Sequence, residues 1–452
     1  MTTRSSPSSA PGELAGAVGV VLSAMTDGGK PGASPDALLH RESPSPDGTA
    51  DGLATRAGIP RPPDATGRQG LLRVIWPSDA GALPVVVGTI AIWTFFQTQN
   101  ANFLSSRNLS NLVLQMTVTA ILAIAVVVVL ICGEIDLSLG SVTGATSALL
   151  GVLLTNEHFA AGWAILLALL LGLGIGLLQG TVTVLVGVPS FIVTLGGFLA
   201  WAGVQLSVIG PAGDLPVTNP TVAAIANDYL SPGLAWLLAA LGVAGVAGTE
   251  LLRARAWRRS DLSGPPAWRA WLRCALLAGA LASVVGYLNS NFGVPYLFVL
   301  MVGLAAALAW IMQRTVFGRH VYAVGGGSEA SRRAGVPVGA VRVAVLGLSG
   351  LIGGIAGIVS TSSLYATSAG TGGSTLLLEA IAAAVIGGTS LFGGRGRVYQ
   401  ALLGALVIAS IENGLGLLGK SASTEEIATG VILVLAVSID ALNRRRRAAA
   451  GR

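Results

Sequence analysis

Long apolar stretches recur along this chain from residue 81 onward, separated by short polar breaks. Each is at or near the ~20 residues that a helix needs to cross a hydrocarbon core. The pattern predicts helices at 81–97, 109–131, 137–154, 163–186, 190–209, 233–252, 271–289, 294–313, 341–361, 376–391, 401–418 and 427–442. Segment 376–391 and the pair around Glu134 can also be read as re-entrant. The fold class that follows is an all-α polytopic membrane protein with about 10–12 transmembrane helices.

One polar break has a grammar of its own. Residues 321–336 read VYAVGGGSEASRRAGV. Gly325, Gly326 and Gly327 free the backbone, Ser328 is the expected N-cap, and Glu329, Ala330, Ser331, Arg332, Arg333 and Ala334 suit a helix. Gly335 stops it, and Pro337 is expected to prevent a restart. A helix of two turns does not hold itself together in water, so the surrounding membrane domain must present it to a partner.

Composition fixes the class. Hydrophobic residues make up 52% of the chain and charged residues 11%, against ~25% charged in soluble domains. Cys132 and Cys274 suggest no disulfide framework, and His40, His158 and His320 are too scattered to spell out a metal site, so no cofactor is expected. Residues 1–70 are rich in Ser, Pro, Gly, Asp and Ala and are predicted to form a disordered polar cytoplasmic tail. The apolar run 14–25 is too short to span, and with Glu13 abutting it and only Arg4 before it, it makes a poor signal peptide. Residues 71–446 form the expected transmembrane domain, with cytoplasmic loops 253–273 and 314–342, and 447–452 a basic cytoplasmic end.

Charge sets the orientation. With a cytoplasmic N-terminus and twelve crossings, one side receives Arg253, Arg255, Arg258, Arg259, Arg269 and Arg273. It also receives Arg314, Arg319, Arg332, Arg333 and Arg342, then Arg395, Arg397, Arg444 to Arg447 and Arg452. Only Arg107 and Lys420 fall opposite. The positive-inside rule then puts both termini and the short helix in the cytoplasm. The net charge of +6 reflects topology and attraction to a membrane surface, not nucleic-acid binding.

Carboxylates inside apolar stretches are costly and mark places of interest. Glu134 and Asp136 lie between two apolar runs, and Glu379, Glu412 and Asn413 lie in others; all five are candidates for translocation or gating. For Asp136 the favoured reading is a cap on a helix starting at Leu137, ahead of direct substrate contact. Gly172, Gly176 and Gly180, Gly350 with Gly354, and Gly353 with Gly357 recur every fourth residue and predict flat helix faces for close packing. Residues 414–421, GLGLLGKS, satisfy a Walker A pattern, but an apolar helix precedes them where a phosphate loop needs a buried strand. No catalytic residue is expected.

The stretches EIDLSLGS (134–141), VPSFIVTLGG (188–197), VYAVGGGSEASRRAGV (321–336), EAIAAAVIGGTSLFGGRGRV (379–398) and ENGLGLL (412–418) occur in that order. As a set they resemble the membrane permease subunit of bacterial sugar ABC importers, in the branch handling ribose, galactose and xylose. Glu134 before Ile-Asp and the arginine-rich loop 253–273 are most similar to its xylose-handling members. The resemblance implies a homodimeric pore in the bacterial cytoplasmic membrane, fed with sugar by an extracytoplasmic binding protein and driven by a cytoplasmic ATP-binding subunit. It also implies that Gly325 to Gly335 carry the coupling helix that docks on that subunit. The family usually has Asn at Gly327 and Ala at Ser331, which leaves Ser328 as the expected cap. ATP hydrolysis is then expected on the partner. The competing expectation is an ion-coupled secondary transporter of small polar solutes, which should show related halves, and no internal repeat is legible.

Overall fold

A computed structural model describes residues 82–259 and 266–449. The predicted tail 1–70 and the last residues, 450–452, lie outside them. Fifteen helices are described. In chain order, α1 is Ala82–Gln99, α2 Ser106–Ile131, α3 Leu139–Thr155, α4 Ala161–Val186, α5 Ser190–Ile209 and α6 Pro220–Asn227. Next come α7 Pro232–Arg259, α8 Ala267–Asn289, α9 Tyr296–Arg314, α10 Val316–Gly326 and α11 Ser328–Arg333. The last are α12 Val338–Leu364, α13 Gly373–Ile386, α14 Val398–Leu417 and α15 Ala422–Ala449. Each of the twelve apolar segments is a helix. Eight of them (α2, α4, α5, α7, α8, α9, α12 and α14) are long and apolar enough to cross a membrane, whereas α3 and α13 are apolar but shorter.

Four short strands pair at loop crossings: β1 (Asp214–Pro216) with β4 (Ala366–Ser368), and β2 (Tyr229–Leu230) with β3 (Val294–Pro295), both antiparallel. They staple connections and form no sheet face.

The core is a pair of helix quartets, α2 to α5 and α12 to α15. α12 packs on α4 and α3, and α2 packs in the same way on α14 and α13; α3 touches α4 and α5 as α13 touches α14 and α15. The quartets run in opposite directions. α3 runs parallel to α12, with Val142 near Gly353 and Thr146 near Gly357, while α4 runs antiparallel to it. This repeat is invisible in the sequence. Related halves therefore do not by themselves separate the two kinds of transporter considered above.

Glycines set the closest approaches. A Cβ on Gly176 would overlap the Leu346 carbonyl, one on Gly172 the Gly350 carbonyl, and one on Gly350 the Gly172 carbonyl. Gly353 and Gly357 face Leu139, Val142 and Thr146 of α3. The four-residue spacing is thus a packing face on which α3 and α4 lie against α12 with backbones almost touching.

Candidate functional site

The polar residues singled out in the sequence fall into two sets, one in each quartet. The first surrounds the extended segment 133–138 that leads into α3. Asp136 is buried; its Oδ1 accepts from Ser138 N at 2.9 Å and Ser138 Oγ at 2.6 Å, and its Oδ2 accepts from Ser349 Oγ at 2.7 Å. The carboxylate thus ties the start of α3 to α12. Asp136 is not the cap of a helix at Leu137 as expected: α3 begins at Leu139 with Ser138 as its N-cap, and Asp136 instead holds the Ser138 amide. Ser190 Oγ accepts from Ile135 N and Thr194 Oγ1 from Leu137 N, so α5 satisfies the same segment from its other side. Ser138 Oγ lies 2.9 Å from Gln179 Oε1 while Gln179 Nε2 has no partner. Ser138 has one proton, already given to Asp136, so turning the amide over puts Nε2 against Ser138 Oγ and satisfies both groups.

Glu134 points the other way. Its Oε1 lies 2.6 Å from Nε of Arg342 on α12, and this ion pair borders a cavity of about 810 Å³. The cavity is lined by the α4–α5 turn at Gly187 to Pro189, by Thr183 and Ser190, and by Arg332 on α11.

The second set surrounds α13. Glu379 Oε2 accepts from Thr119 Oγ1 of α2 at 3.2 Å, and Glu412 of α14 lies within electrostatic reach of Glu379. Asn413 is buried and bonds Asn108 and Gln115 of α2, which makes it a tie between α14 and α2. The five candidates therefore do not converge on one pocket.

Sequence reading missed Gln205. Residues 366–372 enter α13 as a short strand followed by a turn, a non-helical segment running along α3 from Thr367 beside Gly151 to Gly373 beside Gly140. That is eleven residues of α3, or ~16 Å of depth at the helix rise, about half a hydrocarbon core. Carbonyls at such depth need donors. Gln205 Nε2 supplies two, to Ser368 O and Thr371 O at 2.9 Å each, from a side chain that is itself buried. Gly144 makes room, since a Cβ there would overlap Gln205 Oε1. A lone Gln in an apolar helix is a buried polar group that costs free energy unless hydrogen-bonded, and was the available signal.

The short helix differs from expectation in its details. Gly325 and Gly326 end α10, and Gly327, in extended backbone, is the N-cap of α11 with no side chain to bond; Ser328 is the first helical residue and does not cap. Glu329 pairs with Arg332 at 3.5 Å and Arg333 at 3.3 Å, all exposed, while Ser331 is buried. Gly335, at φ +82°, stops the helix as foreseen, with Val336 N bonded to Ser331 O. Pro337 does not block a restart: it is the N-cap of α12, because its lost N–H has no partner to miss there.

α10 anchors this region. A Cβ on Gly325 would collide with the Ile131 carbonyl at the end of α2, and Gly394 N donates to that carbonyl at 2.9 Å. Tyr322 donates to Gly396 O at 2.8 Å, and burial pushes its phenol up, against the pull of nearby Arg397, so it stays a neutral donor. The turn 387–397, the end of α2 and α10 thus meet in one knot beside α11. The Walker-like residues 414–421 are the last turn of α14 and the turn into α15, with Gly414 packed on the Phe96 ring.

Residues 108–437 match the family described as "Branched-chain amino acid transport system / permease component". The chain is 37% identical over 368 residues to the xylose transport system permease protein of Escherichia coli (strain K12), covering 80% of this chain and 92% of that one. It is 31% identical over 366 residues to the ribose import permease protein of the same strain, with 81% and 94% covered. It is 29% identical over 372 residues to the fructose import permease protein of Rhizobium meliloti, with 80% and 86% covered. No solved structure matches the chain. Helix content, apolar spans and a family match running through both quartets agree, and the chain belongs to this permease-component family, the membrane subunits of ABC importers.

Proposed function

We propose that this chain is the transmembrane permease subunit of an ATP-driven importer of xylose or a related monosaccharide. The observation that carries the reading is the likeness to sugar permeases over nearly their full length. On this reading the chain works as a homodimer in the bacterial cytoplasmic membrane, with both termini cytoplasmic. An extracytoplasmic protein delivers the sugar, and a separate cytoplasmic subunit hydrolyses ATP. Residues 1–70 are a cytoplasmic tail, 71–446 the transmembrane domain and 447–452 a basic end. Sugar is the cargo and no cofactor takes part.

In this mechanism the handle is the stretch Gly325 to Gly335, which contains α11 and the glycines that bound it. Two connections support that role. Gly335 and Val336 join it directly to α12, which lies on α4 through the glycine face. Gly325 of α10 sits on the end of α2, the corresponding helix of the other quartet. A partner that displaces α11 therefore pulls on both quartets at once, and rigid packing turns the pull into a switch between outward-open and inward-open states. Glu134, Asp136, Glu379, Glu412 and Asn413 lie between the parts that move and are the proposed gating positions.

The test is the double variant Glu329→Ala, Arg332→Ala, expressed with the partner subunits. ATP hydrolysis should continue while sugar uptake falls, with the variant reaching the membrane in normal amount. Normal uptake would remove α11 from the coupling role. The competing reading is an ion-coupled carrier, which the repeated quartets do not by themselves separate from an importer. Uptake abolished by an ionophore and indifferent to ATP depletion would select it; co-elution of an ATP-hydrolysing subunit would reject it.

A further inference from the structure

The α7–α8 hairpin stands apart from the rest of the molecule. The two helices are the least buried of the eight long apolar helices and pack mainly on each other. Their anchorage lies at one end, where Ala235, Val285 and Leu288 join Leu230 and Val294 in a small cluster and Ser106 Oγ donates to Tyr287 O at 2.8 Å. The opposite end carries a dense charge: residues 250–273 hold six arginines against two carboxylates, Glu250 and Asp261.

Glu250 is already engaged, lying 2.8 Å from Arg253 and 3.4 Å from Arg273. Arg255, Arg258 and Arg259 are exposed and, by their spacing, share one face of α7. Among the described residues none of these three forms an ion pair. Trp257, Trp268 and Trp271 are exposed alongside them, and the Arg269 guanidinium lies over the Trp268 ring at 5.7 Å. The apolar part of α7, 232–252, is already long enough for a hydrocarbon core. The arginine turns run on for seven residues, or ~10 Å, through the depth that headgroups occupy.

We propose that this end of the hairpin is a binding site for anionic phospholipid headgroups. The three guanidiniums on one face of α7 supply positive charge at phosphate depth. The indoles lie at the boundary where amphipathic rings are stable, and the exposed apolar walls of α7 and α8 take the acyl chains. Topology alone needs basic residues on one side; it does not need three that share a helix face, are flanked by three indoles and sit on a hairpin that, among the described residues, packs mainly on itself. The site holds the free end of the hairpin against the bilayer, so the core can change shape while the hairpin stays in place.

The test uses the full-length chain purified with its native lipids and measured by native mass spectrometry. The variant Arg255→Gln, Arg258→Gln, Arg259→Gln should retain roughly tenfold less phosphatidylglycerol than the unaltered chain, with phosphatidylethanolamine unchanged. The control Arg314→Gln, Arg319→Gln should retain it normally. Equal retention in the triple variant, or an equal loss in the control, overturns the proposal. So does a triple variant that keeps its lipid but loses a co-purifying protein, since the face is then a protein interface.

A second measurement needs no folded arginine variant. In phosphatidylcholine vesicles, brominated phosphatidylglycerol should quench tryptophan emission of the unaltered protein more than brominated phosphatidylcholine at the same mole fraction. Trp257→Phe, Trp268→Phe, Trp271→Phe should erase that difference. Equal quenching by the two lipids in the unaltered protein overturns the proposal independently.

Discussion

α3 and α13 each begin where a non-helical segment ends, and the two helices start against one another at Gly140 and Gly373, yet different chemistry holds the segments that lead into them. Segment 133–138 carries its own charge. Asp136 organises it, and hydroxyls from α5 and α12 complete the bonds. Segment 366–372 is uncharged, and the Gln205 amide from α5 supplies its donors. The difference shows that a repeated backbone plan fixes where polar groups are needed without fixing which ones. A carboxylate accepts and so gathers N–H and O–H donors; an amide donates and so quiets stranded carbonyls. In both cases α5 is the supplier, which places that helix at the break of each interrupted span.

The largest expected effect comes from the point the two breaks share. Gly372 has φ +84°, and a Cβ on it would overlap the Gly140 carbonyl. Gly372→Ala is both strained and obstructed, so the head-to-head start of α3 and α13 has to separate. Membrane abundance and thermal unfolding of the detergent-purified protein should show loss of the folded state. Near-normal stability would mean that the helix starts are not locked together.

Next in size is Gln205→Leu. It leaves the buried Thr371 carbonyl without its side-chain donor, at about 1–3 kcal/mol, while Ser368 O keeps the bond from Thr371 N. The purified protein should unfold at a distinctly lower temperature, and sugar uptake should fall with it. Gln205→Glu separates packing from chemistry: it keeps the shape but loses the donors and should be no better than Leu. Recovery of stability by Glu would mean that the Thr371 carbonyl has another donor.

The sequence made the helices legible because span length is set by bilayer thickness. Segment 190–209 coincides with α5, and the other eleven differ only at their ends. The ends went astray for local reasons. α13 stops at Ile386 instead of continuing to 391 because Gly387 and Gly388 turn the chain, and α3 starts late because Asp136 holds the Ser138 amide. The glycine spacing was readable as packing, but its partner was not, since a small residue does not name what lies against it. Gly325 illustrates this: it read as backbone freedom for the short helix and is a contact with Ile131. The candidate site was half legible. Carboxylates stood out as costly, whereas Gln179 and Gln205, neutral but also polar in apolar helices, passed as ordinary.

Ser349→Ala tests the charged segment more gently. It removes one hydroxyl from Asp136, a bond to a charged acceptor worth about 1.5–3 kcal/mol, while Ser138 still supplies two. The expected result is a moderate drop in unfolding temperature with membrane insertion intact. Ser349→Thr keeps the hydroxyl and should recover most of it. If Ala were neutral, the link from segment 133–138 to α12 would rest on the Glu134–Arg342 ion pair and on the glycine contacts of α3.

The smallest effect belongs to Thr371→Val. Thr371 Oγ1 accepts from Ser368 N at 3.0 Å, closing the turn just before α13, and its carbonyl remains held by Gln205 whatever the side chain. Valine keeps the shape and branching, so the loss is two partly exposed neutral hydrogen bonds, with Ser368 N and Ser368 Oγ, about 0.5–1.5 kcal/mol each at most. Its value lies in combination with Gln205→Leu. If the two act on one stretch of backbone, the double variant should lose measurably more or less than the sum of the singles, because contacting residues couple. Paired instead with Ser349→Ala, which touches the other segment, Thr371→Val should be additive within ~0.5 kcal/mol. Coupling in the second pair and not the first would mean that the two breaks communicate through Gly140 and Gly373 more strongly than each segment holds itself.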